Sequence, residues 1–102
     1  MGFKSDGAQQ LLGASVITTG QATVTTVAAS LVAANAARRS VTIVKHGGGD
    51  VFLGATAAVT SATGLLFAGG KGAALGLDTS DEVFAVMGAG SVVVSFLELL
   101  ES

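Results

Sequence analysis

Neither cysteine nor proline occurs in this 102-residue chain, and tryptophan and tyrosine are missing as well. Without cysteine there are no disulfides and no thiolate metal sites, so a small domain must be held by packing or by oligomerisation. Without proline the chain lacks one of the devices that keep exposed sheet edges from pairing with other chains. The aromatics are Phe3, Phe52, Phe67, Phe84 and Phe96. They fall mostly inside strand patterns and are expected in the core, which argues against the exposed stacking platforms used for sugars and single-stranded nucleic acid.

Charge is scarce too. Charged residues make up 12% of the chain, against about 25% in ordinary domains. Five basic residues and a net charge of −2 give little basis for binding a phosphate backbone, whose affinity depends on clustered Lys and Arg, so no nucleic-acid partner is expected. Long apolar runs are also lacking. The best one, Val27 to Ala37, is interrupted by Ser30 and Asn35 and stopped by Arg38 and Arg39. That falls short of the roughly 18 residues a spanning helix needs, so no membrane partner is expected. Met1 to Gln10 carries Lys4 and Asp6 with no apolar run behind it, which does not read as a secretory signal.

What is present is apolar and β-branched. Half the residues are hydrophobic, which excludes disorder driven by low hydrophobicity and charge repulsion. The length fits one domain with one core, and so apolar a composition suggests that part of the surface meets a partner chain. Residues 1–10 are polar and glycine-punctuated and read as an N-terminal arm; residues 11–102 read as the folded domain. Leu11 to Thr19 and Gln21 to Ala28 are expected as strands separated at Gly20. Val27 to Arg39 holds enough alanine to suit a helix, but Asn35 and the two arginines favour a loop and short strand. Three glycine-turn units follow, each expected as a hairpin: Ser40–Lys45 with Val51–Gly54, Leu65–Phe67 with Ala73–Leu77, and Val83–Met87 with Val92–Leu97. Short strands with frequent turn signals predict an all-β domain, a single antiparallel β-sandwich of jelly-roll-like type.

No motif for chemistry is complete. His46 is the sole histidine, at the tip of a glycine loop, and cannot close a zinc site alone. A triad with Asp50 and a serine lacks a strained Gly-x-Ser-x-Gly elbow. Gly64 to Gly72 imitates a phosphate loop, but Gly70 stands where lysine is needed, and Gly72 stands where Ser or Thr should follow Lys71. Asp78, Asp81 and Glu82 are the one acidic cluster. They read as an Asx-type turn before the strand at Val83, with calcium as the alternative. Arg38 and Arg39 are the most informative charges. Neighbours on a strand face opposite ways, so one arginine could serve the fold while the other reaches a partner carboxylate. No cofactor, no metal and no enzymatic activity are expected.

The stretch Arg39 to Gly54 resembles a pattern found in small tailed-phage virion proteins: an Arg-Ser-Val-Thr-Ile strand, a glycine turn and a Val-Tyr-Ile-Gly strand. Thr60 to Leu66 resembles the Thr-x-x-Thr-Gly-x-x-Leu step that follows it in those proteins. Leu77-Asp78 and the closing stretch from Val83 to Glu98 complete a likeness over residues 38 to 98. Phe52 and Phe84 stand in place of the usual tyrosines, and Lys45-His46 in place of an Asn-type turn. The resemblance implies a virion structural protein, first of all a capsid decoration (cement) protein on the capsid exterior, made in the host cytoplasm. Its partners would be the major capsid protein and further copies of itself, as dimer or trimer. A tail, baseplate or fibre-associated module is the alternative. The expected contact residues are Phe3 and Lys4 on the arm, the arginines Arg38 and Arg39, and the loop residues His46, Asp50 and Lys71.

Overall fold

The computed structural model describes residues 15–101. The expected arm at 1–10, with Phe3 and Lys4, lies outside the described residues, as does the expected start of the domain at 11–14. Eight strands follow in order: β1 (Ser15–Val24), β2 (Ala29–Val32), β3 (Arg38–Lys45), β4 (Val51–Gly54), β5 (Leu65–Phe67), β6 (Ala74–Leu77), β7 (Val83–Met87) and β8 (Val92–Glu101). They form two four-stranded antiparallel sheets, β1-β8-β3-β6 and β2-β7-β4-β5. The all-β sandwich expected from the sequence is the fold observed.

The topology has a simple logic. β1 pairs with β8, β2 with β7, β3 with β6 and β4 with β5. The chain is therefore one long hairpin folded at the β4–β5 connection, with successive pairs assigned alternately to the two sheets. The β3–β8 and β4–β7 pairings complete each sheet. This is the eight-stranded jelly roll.

The three expected hairpins are corrected by this arrangement. In each, the two flanking strands lie in different sheets, so the glycine loops carry the chain across the sandwich. The β3–β4 case gives the physical reason. Val41 and Ile43 on β3 and Val51 and Leu53 on β4 are all buried, and they meet face to face through the core, about 10 Å apart, rather than side by side at 4.8 Å. Leu65–Phe67 does form a hairpin, but with β4.

Gly20 does not separate two strands either. β1 pairs with β8 without interruption from Ser15 to Val24. Gly20 sits opposite Phe96, and a Cβ there would lie 2.5 Å from the Phe96 ring. The glycine makes room for an aromatic ring; it does not make a turn. The Val27–Arg39 stretch becomes β2 and a loop, as expected, with no helix.

The core is almost wholly aliphatic, built from Val24, Val32, Val41, Ile43, Val51 and Val94 with Phe67 and Met87. The two outer faces differ. Over the β2-β7-β4-β5 sheet, the loop at 55–64 folds back, and Val59, 8% exposed, packs on the bare backbone of Gly54. Thr60 and Thr63 brace that loop through hydroxyl bonds to each other and to its backbone. Among the described residues, no loop lies in the same way over the β1-β8-β3-β6 sheet.

Candidate functional site

β3 carries a basic residue at each end, and both are buried. Register slips between Arg38 and Ser40, so Arg39 is the extra residue of a bulge, and Arg38 turns inward with its side chain fully buried. Its Nε donates to the Thr79 carbonyl (2.7 Å), Nη1 to the Ala33 carbonyl (2.8 Å) and the Glu98 carboxylate (2.7 Å), and Nη2 to the Asp81 carbonyl (2.5 Å). Glu98 also accepts the Thr18 hydroxyl at 2.8 Å. One guanidinium therefore ties together the β2–β3 loop, the β6–β7 loop, β8 and, through Glu98, β1. Burial pushes the Glu98 carboxyl up, but the bonds from Arg38 and Thr18 and the Arg38 charge outweigh it and hold the pKa below its ordinary value.

At the other end of β3, Lys45 is completely buried. Its Nζ donates to the carbonyls of Gly49 (2.5 Å) and Phe67 (3.1 Å) and lies 5.1 Å from the centre of the Phe67 ring. These contacts join the β3–β4 crossing to the end of β5, across the sandwich. Gly49 has φ +100°, and a Cβ there would lie 2.6 Å from Met87 Cε, so the carbonyl that receives Lys45 depends on glycine.

The expected contact residues divide accordingly. Arg38 serves the fold: four of its five N–H donors are engaged inside. Arg39 is exposed, with Nε 3.9 Å from a Glu101 carboxylate oxygen. His46, Asp50 and Lys71 are exposed on crossings that meet at the opposite end of the sandwich. There Lys45 N–H donates to Ala73, Gly72 N–H to Lys45, and His46 N–H to Val93. The His46 ring shares a hydrogen bond through Nε2 with Ser95 Oγ. Ser95 lies within the straight ladder of β8, and among the described residues no carboxylate hydrogen-bonds His46.

The acidic turn differs from its expected form. The Thr79 hydroxyl, not an aspartate, accepts from Asp81 N–H. The carbonyls of Thr79 and Asp81 accept from the Arg38 guanidinium. Among the described residues, no group of three or more His, Asp or Glu could hold a metal ion, and no helix is long and apolar enough to cross a membrane.

Sequence reasoning missed Lys45 and Glu98. Strand parity was the available signal: Val41, Ile43 and Lys45 alternate on one face of β3, and Val92, Val94, Phe96 and Glu98 on one face of β8.

The surface most suited to a partner is the outer face of the β1-β8-β3-β6 sheet. Register places Thr19, Leu97 and Thr42 in one cross-strand row and Gln21, Ser95 and Val44 in the next. These rows line a shallow concavity of about 530 Å³. Ile17, Val93 and Leu97 are exposed nearby, at 61%, 36% and 41%. The middle rows of this face carry no charged residue; Glu101, paired with Arg39, borders it at one end and His46, bonded to Ser95, at the other. No protein-family model, curated protein or solved structure matches the chain.

Proposed function

We propose that this protein is a bacteriophage capsid decoration (cement) protein, which binds the assembled lattice of the major capsid protein on the capsid exterior and stabilises the head. The observation that carries the reading is the outer face of the β1-β8-β3-β6 sheet, apolar and free of charge in its middle rows and covered by no described loop, whereas the 55–64 loop packs over part of the other sheet. The likeness of residues 38–98 to small tailed-phage virion proteins supports it. The jelly roll is compatible with it but does not select it, because the same architecture serves lectins and cupins as well as capsids.

On this reading the protein acts by binding alone, without a cofactor or a catalysed reaction, and neither nucleic acid nor membrane is a partner. The middle of the face, with exposed Ile17, Val93 and Leu97, gains from leaving water and sets no charge against the shell. Many copies, each burying on the order of 800 Å² per partner, would stabilise the assembled head by mass action, because they bind the lattice and not its dispersed subunits. Further copies of the protein, as dimer or trimer, are part of the same proposal. The exposed loop residues His46, Asp50 and Lys71 and the exposed Arg39 remain candidate contacts at the two ends of the domain.

The test compares heads assembled with and without the protein. Heads lacking it are expected to release their contents at lower temperature and on dilution into low salt, and equal resistance would overturn the proposal. Quantifying the chain against the major capsid protein in purified particles supplies the second arm. A copy number comparable with the major capsid protein is expected. A copy number set by the symmetry of the tail would assign the chain to a tail, baseplate or fibre module instead.

A further inference from the structure

We infer that two copies associate edge to edge through β1, antiparallel across a two-fold axis, so that their sheets join into one of eight strands. This deepens the homo-oligomer of the proposed function and rests on that reading only for its setting on a capsid. β1 is the outer strand of its sheet, and among the described residues no strand pairs with its free side. It is also long. Ten residues at about 3.3 Å each give roughly 33 Å of open edge. The other three edges, β6, β2 and β5, have four, four and three residues, and β2 is also irregular in register.

Monomeric sheets protect such an edge with charge, proline, a bulge or shortness. β1, Ser-Val-Ile-Thr-Thr-Gly-Gln-Ala-Thr-Val, contains no charged residue and no proline. Its ladder with β8 runs through all ten residues without a bulge. The missing charge also selects the partner. At a two-fold axis a residue meets its own symmetry mate, so a charge at the axis would meet itself. A strand without charge is free of that penalty, and it offers no complement to a charged partner strand.

The symmetry has a consequence for docking. A two-fold axis perpendicular to the sheet leaves both outer faces on the same side, with Ile17, Thr19, Gln21 and Thr23 of the two copies adjoining. The dimer then presents the same apolar face twice in one plane, and a lattice that binds one half holds the other at high effective concentration.

The absence of cysteine makes the test direct. Single cysteines are placed in the full chain at Ile17, Thr19, Gln21 and Thr23, with Thr42→Cys on the same face of β3 as control. Under mild oxidation in the absence of capsids, one β1 position is expected to cross-link at least tenfold faster than Thr42→Cys. Two residues from the axis, symmetry mates are already about 13 Å apart, beyond the roughly 7 Å Cα limit for a disulfide, so the yield should fall sharply on either side. Thr19→Lys, an exposed change pointing away from the core, is expected to weaken the sedimenting dimer at least tenfold with an unchanged circular dichroism spectrum. Wild-type protein that stays monomeric with no β1 cross-link would overturn the inference. So would cross-linking at Thr42 as fast as at β1, which would mean face-to-face stacking. Either result leaves the head-stability experiment free to succeed or fail independently.

Discussion

Replacing Arg38 with methionine tests whether the fold depends on its buried guanidinium. Methionine retains much of the side-chain volume while removing every donor. Glu98, whose side chain is 12% exposed, loses its cationic partner, and the carbonyls of Ala33, Thr79 and Asp81 lose theirs. Breaking a buried pair from one side costs about 3–5 kcal/mol, because the remaining charge is stranded. The loop carbonyls lie near the end of the sandwich and can regain water, so we take about 4 kcal/mol for the whole change. A domain of this size has about 5–15 kcal/mol in total, and the loss corresponds to a fall in Tm of roughly 15–30 °C. Urea unfolding followed by far-UV circular dichroism suits a chain without tryptophan, and the midpoint should fall at unchanged slope. The double variant Arg38→Met/Glu98→Leu removes the stranded charge and should recover about 2 kcal/mol of that loss. A cost below about 1 kcal/mol for Arg38→Met, or strictly additive effects of the two changes, would refute the network as described.

Three further outcomes follow from the same contacts. Because the Glu98 pKa lies below its ordinary 4.5, the stability it contributes is fully present above that pH and is lost as pH falls through the lower, folded-state value. Glu98→Gln should flatten this acid limb of a stability-against-pH curve, and an unchanged limb would remove Glu98 as its source. Lys45→Met should cost about 1–3 kcal/mol in denaturant melts by leaving the Gly49 and Phe67 carbonyls without donors in the core; a variant as stable as wild type would show that the lysine's desolvation cancels its bonds. Gly49→Ala should cost about 1–3 kcal/mol, because it imposes a side chain at positive φ against Met87. Gly48→Ala, with open space around its Cβ position, should stay within about 0.5 kcal/mol of wild type. Equal costs at the two glycines would contradict the loop geometry.

The fold class was legible because strand signals are local. Thr42 and Ile43 alternate between faces, Val51 to Leu53 is short and apolar, and glycine loops bound both. Which strand pairs with which was not legible. A five-residue glycine loop such as 46–50 serves equally well to turn a chain within a sheet or to carry it between sheets. The decision belongs to the β3–β8 and β4–β7 pairings, between residues 30 to 62 positions apart. Gly20 misled for a related reason: the ring of Phe96 that requires it lies on a strand 76 residues away.

The charges tell more than their number suggested. A count of basic and acidic residues treats Arg38, Lys45 and Glu98 as surface, yet these three are the ones the sandwich takes inside. The two cations satisfy carbonyls that would otherwise be left unpaired at the ends of a small core, and Glu98 pairs with Arg38. With no cysteine to staple it and few polar side chains to spare, the domain uses its cations to fix the crossings of the jelly roll. What is left for the surface lies toward the two ends, with Arg39 and Glu101 bordering the outer face of the β1-β8-β3-β6 sheet, and the middle rows of that face and all of β1 carry no charge. A protein that worked alone would gain from one lysine at Thr19 or Thr42, which would guard the edge or wet the face without disturbing the core. Neither position has one, and the two unguarded surfaces adjoin along β1. That adjacency is the physical argument for the proposed association, in which the edge would pair copies of the chain and the pair would present the uncharged middle of the face to the proposed shell.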